Sequence, residues 1–208
     1  MKTAQEIAML TATKAEDWHQ HSNGGGWVYK TASVKETAFI GPNAQVYGDA
    51  QVYGDARVFG DARVSGNAWV SGNAWVSGNA QVFGDARVSG NAWVFGSAQV
   101  YGDAQVYGNA WVSGSAQVFG SAQVFGNARV YGDARVSGNA WKSSPLYIQG
   151  SKHALTNCAY GKIAIGCHTY TFTEWKRHAK AIGKTEGYTP EQVKEYLTYI
   201  SLFQKLGK

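Results

Sequence analysis

Between Ala44 and Ala140 apolar and polar positions alternate inside a unit of six residues that repeats almost without a break. In Ala44-Gln45-Val46-Tyr47-Gly48-Asp49, Ala and Val fall on one face and Gln and Tyr on the other, the period of a strand. Gly then accepts a positive φ and the Asx side chain bonds nearby backbone, so each unit closes in a corner. The sixth position is Asp, Asn or Ser throughout, as at Asp55, Asn67 and Ser97. A unit this short buries no apolar face alone; stacking its copies does. The pattern therefore predicts a solenoid, a parallel β-helix with Ala and Val inside. Ala32-Ser33-Val34 and Ala38-Phe39-Ile40 are imperfect hexads that start the register.

A small residue, an outward residue and an aliphatic, returning every six, resemble the hexapeptide-repeat proteins of the trimeric acyltransferase-like superfamily. The resemblance covers Ala32 to Trp141. It implies a left-handed β-helix of triangular section, three hexads per coil, assembled as a homo-oligomer, most often a trimer. About six coils at a strand spacing near 4.8 Å make a prism roughly 29 Å long. The fold serves transferases, carbonic anhydrases and structural proteins alike, so it does not by itself assign an activity.

Three hexads per coil place outward residues in columns. One column is Arg57, Trp75, Trp93, Trp111 and Arg129, with Phe59, Ser77, Phe95, Ser113 and Tyr131 beside it. A second face stacks Tyr47, Ser65, Phe83, Tyr101 and Phe119, and the third carries Gln51, Trp69, Arg87, Gln105 and Gln123. The three indoles form an apolar strip, read here as an interface with a neighbouring protomer and the arginines as its polar rim. A ladder that only stiffens its own sheet, or stacks sugars or bases, is the alternative. The corner residues Asp49, Asn67, Asp85 and Asp103 also stack, and corner hydrogen bonding rather than calcium is the expectation.

The flanks differ from the repeat. Thr3 to about Gln20 reads as a helix with Ile7, Leu10 and Trp18 as contacts, broken by Gly24-Gly25-Gly26; with Trp27 and Val28 it caps the prism. His19 and His21 read as ordinary polar residues. Lys142 replaces a core Val and ends the solenoid, giving a cap over 1–31, coils over 32–142 and a module over 143–208. In the module, short strands are expected at Leu146-Tyr147-Ile148, at 153–156 and at 162–165. Thr171-Phe172-Thr173-Glu174 is a capping box opening one helix, and Thr189-Pro190 opens a second. This α+β module resembles an extension on hexapeptide-repeat proteins, some of them encoded by phages or mobile elements, and that resemblance supplies no chemistry.

Charge and candidate chemistry narrow the function. The net charge is +5, and residues 141–208 carry nine Lys and one Arg against four Glu, while the rest of the chain nearly balances. Lys152, His153, Lys162, His168, Tyr170 and Arg177 are the groups there available to a small anionic ligand; the excess is too modest to favour nucleic acid. All five His lie outside the coils, and no loop interrupts them to grip an acyl donor, so both enzymologies of the family lose their key residues. Cys158, Cys167, His153 and His168 lack zinc-type spacing, and neighbours on a strand point to opposite faces, so a buried Cys and a surface His are expected, with no metal and no cofactor. Two Cys, no apolar run of spanning length and no signal-peptide form point to a cytoplasmic protein that engages no membrane.

The sequence thus predicts a non-enzymatic oligomeric β-helix scaffold whose basic module recognises or sequesters a phosphorylated or nucleotide-like ligand. The alternatives are a divergent acyltransferase with its site between module and coil, or a purely structural protein.

Overall fold

The computed structural model describes residues 2–138, 140, 141 and 144–206; the expected solenoid end at Lys142 and the start of the module at Ser143 lie outside them. The hexads form a parallel β-solenoid of three sheets. Strands are short. Trp75–Val76 lies in parallel register between Arg57–Val58 and Trp93–Val94, eighteen residues away on either side. Backbone bonds run from coil to coil: Trp93 N–H donates to Ala110 O and Phe95 N–H to Val112 O, both at 2.9 Å. The inward column is fully buried, Ala92 and Val94 among it. The corners explain the invariant glycine. Gly90 has φ +68°, and a Cβ there would stand 3.0 Å from the Gly108 nitrogen, so only glycine stacks on glycine at this pitch.

The end of the coils departs from the expected register. An uninterrupted hexad would place residue 142 opposite Val124, but it is Trp141 that pairs with Val124 and Ala140 with Gln123. Trp141 is buried and joins the Ala/Val core, so an indole rather than an outward-facing residue fills the last core position. One large apolar ring covers an end that a Val would leave open to water.

The N-terminal helix is shorter than expected. Helix α1 spans Ala4–Thr11 and stops where Ala12 turns left-handed at φ 54°. Trp18–Gln20 is then a strand, antiparallel to Trp27–Tyr29, which in turn pairs in parallel with Gln45–Val46. Gly24 belongs to the hairpin between them; a Cβ there would fall 2.3 Å from the Ile40 carbonyl oxygen. The capping role itself holds. Ile7, Ala8 and Trp18 form a cluster against Trp27, Tyr29 and Tyr47, whereas Leu10, expected as a contact, is 59% exposed. His21 is buried with Nδ1 accepting from Asn23 N–H at 3.2 Å, a structural task in the hairpin, and His19 is exposed.

The module is a four-stranded antiparallel sheet, Tyr147–Gln149, Ala154–Ala159, Lys162–Ile165 and His168–Thr171, covered by α2 (Phe172–Thr185) and α3 (Pro190–Leu206). The fourth strand was not foreseen, because His-Thr-Tyr-Thr has no aliphatic to mark an inward face. Leu155, Ile163, Trp175, Ile200 and Phe203 make the core. The Thr171 box is present: Glu174 accepts from Thr171 N–H at 2.9 Å and from its hydroxyl at 2.7 Å, and these bonds hold the carboxyl below its usual range. A depressed carboxylate adds stability above its ordinary pKa that is lost as pH falls through the folded value. The start of α2 should therefore loosen below about pH 4, a change that Glu174→Gln should remove from the acid titration followed by circular dichroism. Among the described residues no helix is long and apolar enough to cross a membrane.

Candidate functional site

Three surfaces gather the candidate side chains. The first is the aromatic face. Register brings Arg57, Trp75, Trp93, Trp111 and Arg129 into one column, as expected from the repeat. The indoles stack nearly parallel, with centroids 4.6 Å apart for Trp75–Trp93 and 5.2 Å for Trp93–Trp111. Phe59 and Phe95 meet them edge-on. The arginines do more than form a rim: Arg57 lies over Trp75 at 5.4 Å and Arg129 over Trp111 at 4.8 Å, closing both ends of the stack. Each indole remains half-buried. The sheet bearing Gln45 and Tyr47 is different, because the N-terminal cap packs on Tyr47 and leaves Gln45 with no exposure. At the corners Asn67 donates to Asp85 at 2.9 Å, and Asn73, Asn91, Asn109 and Asn127 form a side-chain amide ladder at 3.2–3.3 Å.

The second surface is a cavity of about 40 Å³ between the sheet of the module and its helices. His153, Gly166, Cys167, His168, Glu186 and Tyr188 line its polar side. Gly166 is left-handed at φ +55°, in the turn that joins Lys162–Ile165 to His168–Thr171, and Cys167 follows it in that turn. Strand alternation therefore does not separate Cys167 from His168, as the sequence had suggested. Their side chains converge with that of Glu186, the residue that ends α2. His168 Nε2 lies 3.1 Å from Glu186 Oε1, and the imidazole holds this carboxyl below its usual range. His153 Nδ1 is 2.5 Å from the Tyr188 hydroxyl, whose phenol burial pushes up.

These contacts reorder the expected anion site. Lys152 Nζ donates to the carbonyls of Glu186 and Gly187 and sits over the Tyr188 ring, so its charge serves the C-terminal end of α2. His168 already faces a carboxylate. Tyr170 packs on His168 and edge-on to Trp175. Lys162 and Arg177 are exposed and line neither this cavity nor the cleft described next. Six residues taken as one anion site thus split: His153 and His168 line the cavity, where the Glu186 carboxylate joins them, and Lys152 lines the cleft described next.

The third surface is a polar cleft of about 310 Å³ between the last coils and the module. Arg135, Lys152 and His153 line it together with Gln117, Asp133 and Gln149. Arg135 spreads over Phe119 at 5.7 Å, and Tyr131 meets Tyr147 beside the cleft. Neither Arg135 nor Glu186 stood out in the sequence. Arg135 is one repeat arginine among several, and Glu186 reaches the cavity only because α2 carries the chain back for fourteen residues.

Stacked two-residue strands, glycine corners and an Ala/Val interior define a β-solenoid repeat protein. The coils match a family described as the YdcK beta solenoid repeat, over residues 50–65, 62–78, 80–96, 104–120, 122–138 and 128–143. No curated protein and no solved structure matches the chain.

Proposed function

We propose that the protein is a non-enzymatic scaffold that assembles with copies of itself, as a trimer, through the face bearing Trp75, Trp93 and Trp111. The observation that carries this reading is a half-buried stack of three indoles that no segment covers among the described residues, in contrast to the capped face at Gln45. A second copy is the occupant whose rungs share the same spacing, so that one register matches every aromatic of the two faces at once. The kinship with hexapeptide-repeat acyltransferases is read as one of fold, because every His lies outside the coils. A native mass spectrum tests the stoichiometry directly: the expected species is three times the 22.4 kDa chain, and a monomer at micromolar concentration contradicts it.

The cleft supports a second element of function, capture of a small phosphorylated ligand. Arg135 favours it, being a guanidinium held by an aromatic ring at the mouth of a polar cleft beside Lys152 and His153, although Asp133 lines the same space. The same cleft is where a divergent transferase would place its substrate. A panel of nucleotides and phosphorylated metabolites should raise the melting temperature of the wild-type protein, and Arg135→Glu should abolish the shift. No shift with any member of the panel would leave the module a capping role alone. Turnover of an acyl donor that Arg135→Glu removes would support the transferase instead.

A further inference from the structure

We propose that Cys167, His168 and Glu186 form a binding site for a zinc-class divalent cation. The Cys167 sulfur, a ring nitrogen of His168 and a carboxylate oxygen of Glu186 all lie within 4.8 Å of one another. In a tetrahedral site with bonds of about 2.0–2.3 Å, neighbouring donor atoms stand about 3.3–3.8 Å apart. His168 and Glu186 already meet at 3.1 Å, so the remaining closure is a small movement of an exposed side chain on a turn. Sulfur, imidazole and carboxylate together suit Zn²⁺ and do not suit Mg²⁺ or Ca²⁺, which take oxygen donors.

The surroundings favour a cation. Glu186 ends α2, so its carboxylate adds to the negative end of the helix dipole. The cavity of about 40 Å³ has room for an ion and a water. His153 lines the same cavity, and its Nδ1 is engaged by Tyr188, which leaves Nε2 as the nitrogen available to a ligand or to a metal-bound water. Tyr170 stacks on His168 and restricts its ring. Cys158 does not compete: it is buried, its thiol donates to the Lys162 carbonyl at 3.8 Å, and burial pushes its pKa up. With three protein donors, the fourth position falls to water or to a ligand from solution. Binding would tie the Gly166–Cys167 turn to the end of α2, which the next residue, His168, already reaches through Glu186. The cavity and the anion cleft share His153 and Gly166 in their walls, but Cys167, His168 and Glu186 line the cavity and not the cleft, so either reading stands without the other.

Cobalt is the probe. Full-length protein, freed of metal with a chelator and kept reduced, should take up one Co²⁺ per chain. The complex should show visible d–d bands and a near-ultraviolet thiolate charge-transfer band, both bleached by one equivalent of Zn²⁺. Cys167→Ser should remove the charge-transfer band and weaken Zn²⁺ binding at least tenfold; Glu186→Gln should weaken it at least tenfold and keep the band. Zn²⁺ should also slow alkylation of Cys167 in the wild-type protein, a readout that needs no variant to fold. No thiolate band, wild-type affinity in both variants, or an alkylation rate indifferent to Zn²⁺ would each overturn the site.

Discussion

Val94→Asp should unfold the coils. Val94 has no exposure and lies in register between Val76 and Val112, with Ala92 also buried in the same coil. Losing the side chain forfeits roughly 1.5–2 kcal/mol of burial. The larger cost is the carboxyl, which finds neither water nor a donor in a column of methyl groups, and which must stay protonated or open the prism. Among the described residues the buried polar side chains are His21, Gln45, Thr156 and Asn157, none of them a carboxylate and none part of this column. A loss of about 4–5 kcal/mol or more ranks with the largest single-substitution effects and removes most of the stability of a domain at the low end of the usual range of about 5–15 kcal/mol. Because a burial-raised carboxyl pKa penalises the charged form, the variant should be least unstable at low pH. Val94→Thr, which keeps the shape, should cost about 1–3 kcal/mol. Urea melts of the three proteins check the order; a Val94→Asp protein that melts like wild type would contradict the inward register.

The second large effect concerns the aromatic face. Trp93 is the middle rung, stacked on both Trp75 and Trp111 and touched edge-on by Phe95. Trp93→Lys breaks two stacks worth about 0.5–1.5 kcal/mol each and sets a charge midway between Arg57 and Arg129, each two rungs of about 4.8 Å away. That loss belongs to the single chain and should appear as a lower melting temperature. The account expects a further effect at the interface. If Trp93 is an anchor there, its removal costs roughly 2–4 kcal/mol per contact, and in a closed symmetric trimer every contact suffers together. Dissociation should therefore outrun unfolding: the variant should separate into folded chains at concentrations where the wild-type protein holds together.

The coils were legible to the register because the repeat leaves one solution. Ala and Val fix the inward face, and the columns follow from three hexads per turn, so the Trp75–Trp93–Trp111 stack could be named before any coordinate. Where the repeat fails, reading failed too. The last core position was assigned to residue 142 by its place in the hexad, yet the strand slips by one residue and the indole of Trp141 enters the core. The N-terminal helix was drawn through Trp18 because apolar spacing does not reveal a left-handed Ala12 or a strand pairing that depends on Trp27–Tyr29. In the module, local signals were right and long-range ones invisible. The Thr171–Glu174 capping box is a four-residue matter and was found. The approach of Glu186 to His168 spans a whole helix and was not. The basic residues were counted as free charges, whereas Lys152 turns out to be bonded to backbone carbonyls at the end of α2.

Sedimentation equilibrium of the wild-type protein beside Trp93→Lys, at matched concentrations with circular dichroism on the same samples, tests assembly through the indole face most directly. The account predicts a wild-type oligomer of three chains and a Trp93→Lys variant at the 22.4 kDa of one chain with its strand signal retained. A folded variant that keeps the wild-type mass would contradict it, and would leave the ladder a device that stiffens its own sheet.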